Sequence, residues 1–308
     1  MGYFRRRMNA VDWQVVADTA LAAARADGNL NGQAAAELSL GSMCDFQSRF
    51  EEAAGHYNAS LELARRAAWT DCQAVALNNL ARTFWTSGRP HDTIDHLRQA
   101  LALHRQTGRR AGEAVTLANL GVAHWEVGRT AADPADLLPQ ALTYLNQALT
   151  LHREIGDRHN EADTLRALAS TQRDAGNLTA ALRLADEALT LAREAGDVRF
   201  TALAHNTLAT VQSRLGQADS ALRHHQRALT IARDAGDGQL KAQILIDLAE
   251  TNALLGQRED ALGQARDARV IAQRIGSGLL DRKAQAVLEA PTRAQAEPPV
   301  ACGQSSGR

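Results

Sequence analysis

The chain has 308 residues, and its 34 basic and 35 acidic side chains give a formal net charge of -1 at pH 7. Hydrophobic residues make up 45% and charged residues 22%, which is typical of a folded protein and not of a disordered one. The near-zero charge excludes the basic surface that holds nucleic acid by its phosphates, so we expect no nucleic-acid partner. Aromatic residues account for only 4% whereas alanine and leucine are abundant, so helices are predicted and a β-sandwich or barrel is not.

The amino-terminal segment and the cysteines indicate a cytoplasmic protein. The basic start MGYFRRR continues with NAVDW, where a secretory signal peptide has an apolar stretch, and no apolar run long enough for a membrane span occurs elsewhere. The cysteines Cys44, Cys72 and Cys302 are odd in number and far apart, which fits neither a disulfide framework nor a metal site. We therefore expect a cytoplasmic protein without a membrane partner.

The first elements in chain order are a tail and a single helix. Residues 1–10 are predicted to be an amino-terminal tail. The segment ALAAARADGNLNG, which ends at Gly32, aligns with ALTLAREAGDVRF, which ends at Phe200. Residues 11–32 are therefore predicted to supply only the second helix of a repeat whose first helix is missing.

A period of 40 residues then organises the chain. Six units align with one another, and the third is 48 residues long because eight extra residues surround the sequence TAADPADLL. The predicted units are 33–72, 73–112, 113–160, 161–200, 201–240 and 241–280. The insertion is interpreted as a tolerated surface loop beside the helix that carries Trp125, with a lid or partner contact as the alternative.

The repeated positions predict a helical hairpin in each unit. The eighth position is always leucine and the ninth is always glycine or alanine, as at Leu40 and Gly41. Glycine at the sixteenth position, as at Gly88, Gly128, Gly176, Gly216 and Gly256, is expected to end the first helix, helix A, in a left-handed conformation. A second glycine ends the second helix, helix B, and aspartate follows it in three units.

Two segments complete the chain. Residues 281–290 are predicted to form a helix that caps the last apolar face of the array. Residues 291–308 are rich in proline, alanine, glycine and serine, so a disordered tail is predicted there.

These residues carry a resemblance to the tetratricopeptide repeat proteins. Leu-Gly or Leu-Ala in helix A and Ala-x-x-x-large in helix B match that family, although Leu77 and Leu117 replace its usual tryptophan and the closing proline is absent. The longer phrases resemble Leu-Gly-Asn repeat adaptors and, still more, the carboxy-terminal arms of bacterial antibiotic-regulatory-type transcription activators and STAND-class ATPases. The resemblance implies an all-α right-handed solenoid of six extended hairpins with half-unit caps.

The resemblance also implies a concave groove lined by the A helices. Positions three, six, ten and thirteen of each unit share one helical face and supply most candidates, to which Asn79 and Asn119 are added because they match the Asn of Leu-Gly-Asn. The predicted groove residues are Asn78, Asn79, Arg82, Trp85, Asn119, Trp125, Arg166, Arg173 and Asn206. The alternative is that the tryptophans pack against the next repeat while the arginines only solvate a wide face.

The expected function is non-enzymatic binding of a protein or peptide, with arginines pairing to acidic side chains of the partner. The resemblance implies that the chain serves as a regulatory arm or adaptor in bacterial signalling or transcription control. One alternative is a sensor whose groove closes on a small ligand or signalling peptide, and a remote one is an enzyme with its active site in the groove. No catalytic motif, cofactor fingerprint or metal-ligand spacing is present, so no cofactor and no metal are predicted. His224 beside His225 is attributed to repetition rather than to a metal site.

Overall fold

A computed structural model describes residues 10–47, 49–86, 89–130 and 137–290. Within these ranges all regular secondary structure is helical, and no strand is present. The helices are α1 (Ala10–Ala26), α2 (Leu30–Phe46), α3 (Phe50–Arg66), α4 (Thr70–Thr86), α5 (Pro90–Gln106), α6 (Arg110–Thr130), α7 (Leu137–Ile155), α8 (Arg158–Asp174), α9 (Leu178–Glu194), α10 (Val198–Arg214), α11 (Ala218–Asp234), α12 (Gly238–Leu254), α13 (Arg258–Arg274) and α14 (Gly278–Glu289). The predicted all-α solenoid is confirmed.

The six hairpins pair α2 with α3 and continue in order to α12 with α13, while α1 and α14 stand as single helices at the two ends. Each helix A also contacts helix A of the next unit, whereas the described B helices make no comparable contact with one another. The A helices therefore form the inner layer of a curved array. The curvature is strong enough that α14 also contacts α4.

The apolar repeat positions form the core between the layers. The leucine at the eighth position is buried in every unit, and Leu80 and Leu120 are fully covered. A small residue follows it because helix B approaches closely: a Cβ on Gly121 would lie 2.5 Å from Cγ of Leu145. Burial of these side chains on one face of each helix is the main force that joins the units.

The unit boundaries of the structure lie three residues earlier than the sequence alignment placed them. Helix A of the fifth unit begins at Val198 and not at Thr201, and the capping helix begins at Gly278. The reason is local capping: the Asp197 carboxylate accepts a hydrogen bond from the backbone N–H of Phe200 at 2.9 Å, which satisfies a free donor of the first turn. Asp157, Asp237 and Ser277 cap α8, α12 and α14 in the same way.

The predicted glycine stops are confirmed in the fourth, fifth and sixth units and wrong in the third. Gly176, Gly216 and Gly256 adopt positive φ angles just after helix A ends, whereas Gly88 lies outside the described residues. Gly128 is helical, because α6 continues to Thr130 and reaches 21 residues where its counterpart α8 has 17. The flanks of the insertion therefore lengthen helices, and its middle, residues 131–136, lies outside the described ranges. So do residues 1–9 of the predicted tail at 1–10 and the predicted tail at 291–308, whereas Ala10 is the first residue of α1.

Candidate functional site

Polar side chains connect neighbouring A helices along the inner layer. Asn119 Nδ2 donates to Asn78 Oδ1 at 3.1 Å, and Asn206 Nδ2 donates to an oxygen of Asp247 one unit further along the chain. Each pair joins the sixth position of one unit to the seventh of the next, so Asn78 and Asn206 serve the stacking of repeats.

A second register joins the thirteenth position of one unit to the tenth of the next. Arg173 Nη1 donates to Thr210 Oγ1 at 2.6 Å, and Arg82 forms an ion pair with the buried carboxylate of Asp45. Some polar side chains of the inner layer therefore bind other residues of the same chain.

The curled A helices enclose a cavity of about 310 Å³. Its apolar wall includes Trp85, Val122, Phe200 and Leu203, which come from α4, α6 and α10. Charged side chains of both signs line the remainder, and α12 and α14 close the far side. A concave site with apolar walls and a few oriented polar groups is the usual form of a ligand pocket.

Trp125 lies in the wall of this cavity but is largely covered. It is 7% exposed, and its indole Nε1 donates to Asp174 Oδ2 at 2.7 Å. The guanidinium carbon of Arg129 lies 5.6 Å from the centre of the Trp125 ring, which is cation–π distance. Burial alone would raise the pKa of the Asp174 carboxyl, but hydrogen bonds from Arg173 and Trp125 and the proximity of Arg129 hold that pKa below its ordinary value.

The predicted arginines lie in the cavity with carboxylate partners. Arg166 Nε donates to Asp163 Oδ1 at 2.8 Å, and Arg173 binds Asp174 through two nitrogens at 2.8 and 3.0 Å. Asp163 is half-buried and Arg166 faces the cavity with 19% of its side chain exposed. An anionic ligand would therefore compete with an internal carboxylate for Arg166.

The structure brings five of the nine predicted groove residues to one cavity. Trp85, Trp125, Arg166, Arg173 and Asn206 line it. Four others belong to the same layer and do not line it, namely Asn78, Asn79, Arg82 and Asn119. The cavity is centred on the later units because α12 and α14 close onto α6 and α4, which leaves the second unit's asparagines outside.

Several lining residues were missed by the sequence analysis because the unit boundaries were placed too late. Arg199, Phe200 and Gln239 belong to the first turn of helix A, one turn before the face that begins at Leu203. Asp197 and Asp237 were recognised as turn and cap residues but not used to set the helix starts. A face extended back to those caps would have included the missing residues.

Three histidines of the fifth unit form buried or partly buried hydrogen bonds. Arg193 donates to His205 Nε2 at 3.2 Å, so His205 carries its proton on Nδ1 and donates it to His224 Nδ1 at 2.8 Å. His225 points elsewhere and bonds Asn206 Oδ1 and Thr251 Oγ1, each at 2.9 Å.

Burial keeps these imidazoles neutral. Loss of hydration lowers the pKa of His205 to about 4, with His224 and Arg193 adding to the effect. Burial likewise lowers the pKa of His225 to about 4. The sequence contains a signal for this pair, because His205 replaces the leucine that most units have at the fifth position. Glu37 replaces the same leucine in the first unit, and it binds His56, which is as far along the chain from Glu37 as His224 is from His205.

The described ranges contain neither a cluster of metal ligands nor a membrane-spanning helix. Among these residues, no group of three or more His, Cys, Asp or Glu side chains is placed to hold a metal ion. None of the described helices is long and apolar enough to cross a lipid bilayer.

Comparison with solved structures shows that the fold resembles those of two Rap proteins and of NprR. The apo form of RapI shares 14% identity with this chain at a TM-score of 0.74, over 89% of this chain and 94% of RapI. NprR in complex with its cognate peptide NprX shares 13% sequence identity at a TM-score of 0.64, over 82% of this chain and 70% of NprR. A Rap protein complexed with Competence and Sporulation Factor shares 16% sequence identity at a TM-score of 0.62, over 84% of this chain and 74% of the Rap protein.

At these identities the likeness concerns the fold alone. No curated protein sequence matches the chain. The family model for the tetratricopeptide repeat matches residues 72–132, 135–194 and 200–274, which together exceed half of the sequence. The hairpin repeat, its capped helices and this match show that the chain belongs to the tetratricopeptide repeat family.

Proposed function

We propose that the chain is a non-enzymatic regulatory module that binds a short segment of a peptide or protein partner in the cavity lined by its A helices. The observation that carries this proposal is the cavity itself, in which Trp85, Phe200 and Leu203 stand beside the arginines Arg166 and Arg199. Aromatic and arginine side chains at the centre of a concave surface are the types that dominate binding energy at interfaces.

The comparisons support a peptide as the ligand class. Two proteins of the same fold were solved with a bound signalling factor or peptide, Competence and Sporulation Factor in one case and NprX in the other. By analogy of fold we extend that class of ligand to this chain. We further propose, from the resemblance of its repeats to the arms of antibiotic-regulatory-type activators and STAND-class ATPases, that binding controls an effector in a bacterial cytoplasm.

The partner is proposed to carry acidic side chains. Among the described residues Arg166 is hydrogen-bonded to Asp163 of its own helix alone, so a ligand carboxylate can bind one edge of the planar guanidinium. The predicted tryptophans contribute apolar surface, Trp85 more than the covered Trp125.

The test begins with the full chain screened against a library of short random peptides. The affinity of a selected peptide is then measured by fluorescence anisotropy for the wild type, Trp85→Ala, Arg166→Glu and the control Arg105→Glu. Arg105 is an exposed helix B arginine paired with Glu113 at 2.8 Å and does not line the cavity. We expect the two cavity variants to bind about thirty-fold more weakly, the equivalent of about 2 kcal/mol, and the control to bind normally.

Equal affinity of all four proteins for the peptide would contradict binding in the cavity. Failure to select any acidic peptide would contradict the proposed acidic ligand. Circular dichroism of each variant shows whether the helices are retained.

One observation favours a second candidate, a sensor of a small ligand or short signalling peptide. The cavity volume of about 310 Å³ is at the lower end of ligand pockets, which hold small molecules more readily than a long peptide. A metabolite screen by thermal shift tests this candidate, since a ligand that binds only the folded state raises the melting temperature by mass action.

A further inference from the structure

The insertion in the third unit adds one helical turn to the inner layer. Helix A of the regular units ends at the fourteenth position, as α8 does at Asp174, and the equivalent position in the third unit is Glu126. Because α6 continues to Thr130, the residues from Val127 to Thr130 have no counterpart in the regular A helices. Gly128 lies against Leu137 and Leu138 at the start of α7, where an added Cβ would be 3.2 Å from Leu137 Cβ.

Arg129 lies on this added turn and reaches across the curve of the solenoid. Its Nη2 donates to both carboxylate oxygens of Glu250 in α12, at 3.2 and 3.3 Å, and the two residues are 121 positions apart. Glu250 occupies the tenth position of the sixth unit, on the inner layer. The contact therefore joins the third unit directly to the sixth.

A second ion pair spans an even longer stretch of chain beside the first. Lys283 Nζ on α14 donates to Glu126 Oε1 at 2.6 Å, across 157 positions. Glu126 is the residue from which the added turn of α6 continues, and its other oxygen lies 3.8 Å from Arg129 Nη1. Arg129, Glu250, Lys283 and Glu126 thus form one group, which we name the clasp.

The surroundings of the clasp favour charged contacts that persist in solution. The side chains of Arg129, Lys283 and Glu126 are between 13% and 23% exposed, so salt screens the pair of Lys283 and Glu126 less than surface pairs. Glu250 is 42% exposed, so its pair with Arg129 is the part of the clasp that salt reaches most easily. Burial alone would lower the pKa of Arg129, but Glu250, Glu126 and Asp174 raise it above its ordinary value. The guanidinium also covers the ring of Trp125, which fixes its position from one side.

The other ion pairs of the described residues connect parts of the chain that the solenoid already places side by side. Arg153, for example, binds Glu161 at 2.9 Å and Glu187 at 2.6 Å, both on the next hairpin. In a simple solenoid each repeat contacts only its neighbours, so the pitch follows from local packing alone. The clasp adds a constraint between repeats that are not neighbours.

We propose that the clasp is a latch, created by the insertion in the third unit, that holds the third unit against the sixth unit and α14 and so keeps the cavity closed. Opening the latch lets α12 and α14 move away from α6 and α4 and widens the groove. The latch is inferred from contacts within the chain alone; only its consequence, that opening admits a longer peptide than the closed cavity holds, rests on the proposed function.

The experiment measures the distance across the latch in the full chain without any ligand. Spin labels are placed on Gln140→Cys and Glu259→Cys, exposed positions in the first turns of α7 and α13, with Cys302→Ser removing the tail thiol. Cys44 and Cys72 are buried and remain unchanged. Pulsed electron paramagnetic resonance then gives the distribution of label distances.

We expect Arg129→Gln, Glu250→Gln and Lys283→Gln each to lengthen and broaden this distribution. Since Arg129 and Glu250 act as one contact, their double variant should move the distribution little further than either single variant. The matched control is Arg153→Gln, which removes two ion pairs between neighbouring hairpins and should leave the distance unchanged. Circular dichroism identifies any variant that has lost helices.

The wild type supplies a test that needs no latch substitution. In about 1 M sodium chloride, where the Debye length is about 3 Å, the distribution should also lengthen. Identical distributions in the latch variants, the control and high salt would overturn the latch and assign closure to the packing of α14 on α4. Because no peptide is present, this failure is distinct from failure of the proposed binding function.

Discussion

The fourth and fifth units share one backbone plan but hold their two helices together by different chemistry. In the fourth unit Leu165, Leu184 and Ala185 pack α8 against α9 as part of an apolar cluster. The equivalent positions of the fifth unit are all histidine, at 205, 224 and 225, and they pair through hydrogen bonds. The repeat therefore defines where two helices meet, and hydrogen-bonded polar groups take the place of apolar ones at that contact in the fifth unit.

The largest expected effect is in the apolar unit. Leu165→Ala removes a fully buried side chain whose surroundings are fixed by two helices, so we expect the free energy of unfolding to fall by about 4 kcal/mol. Urea denaturation measures the total, and hydrogen exchange of α8 and α9 measures the local part. The loss should be the same at pH 7 and pH 5, because no titrating group is involved. A loss that varies with pH would contradict this separation of the two units.

Acid should act mainly on the polar unit. The unfolded chain takes up a proton at His205 and His225 near the ordinary pKa of 6.5, whereas the folded chain does so only near pKa values of about 4. Stability is therefore complete above pH 6.5 and is lost as the pH falls toward 4. At pH 5 we expect a loss of about 4 kcal/mol from the two histidines together, since one pKa unit corresponds to about 1.4 kcal/mol.

Hydrogen exchange at the two pH values, corrected for intrinsic rates, checks this expectation. Amides of α10 and α11 should lose protection at pH 5 before those of α8 and α9. Equal loss in both units would mean that buried histidines elsewhere, such as His104 and His152, control the acid response.

Removing one partner of the polar network should cost less than the apolar truncation. His225→Leu introduces the residue found at this position in the second and third units, Leu97 and Leu145, but leaves Asn206 Oδ1 and Thr251 Oγ1 without their partner. We expect a loss of about 2 kcal/mol at pH 7. This loss is compared with that of the double variant His205→Leu, His224→Leu, which removes both members of a hydrogen-bonded pair. We expect the double variant to change the free energy of unfolding by under about 1 kcal/mol. Chemical denaturation measures the free energy of unfolding of both variants. Equal losses would contradict the expectation that removing one partner of a buried hydrogen bond is more destabilising than removing both.

The smallest expected effect concerns the end of helix B. Gly196 adopts φ +64° between the fourth and fifth units, and Ala68 adopts φ 51° at the equivalent position of the first. Gly196→Ala should lower stability by about 1 kcal/mol, and Ala68→Gly should raise it by about 0.5 kcal/mol, because glycine enters the left-handed region freely but has more freedom in the unfolded chain. Thermal melts of the two variants should shift in opposite directions.

Much of the fold followed from local regularities of the sequence. Leucine at the eighth position, a small ninth residue and, in five of the six units, glycine after helix B repeat in phase. Each of these depends only on the helix that contains it and the one beside it. The boundaries were displaced because periodicity has no natural origin, although Asp197 marked the true start. Gly128 was misread because a glycine is able to end a helix but does not force it to end.

The candidate site was predictable only in part, for a geometric reason. Spacing of three and four residues placed Trp85, Trp125, Arg166, Arg173 and Asn206 on the inner layer, and the structure gathers these five around one cavity. That Asn78 and Asn119 bind each other, or that Arg166 binds Asp163, depends on side-chain distances that no repeat alignment contains.

The sequence was sufficient to establish the helical hairpin, its period and its inner face, since these arise from contacts within about one repeat. It did not reveal that Arg129 meets Glu250 or that Lys283 meets Glu126. Those contacts depend on the curvature accumulated over several hairpins, and a small rotation at each junction decides whether the two ends approach or separate. The closure of the cavity is thus a property of the whole solenoid, whereas the hairpin is a property of each unit.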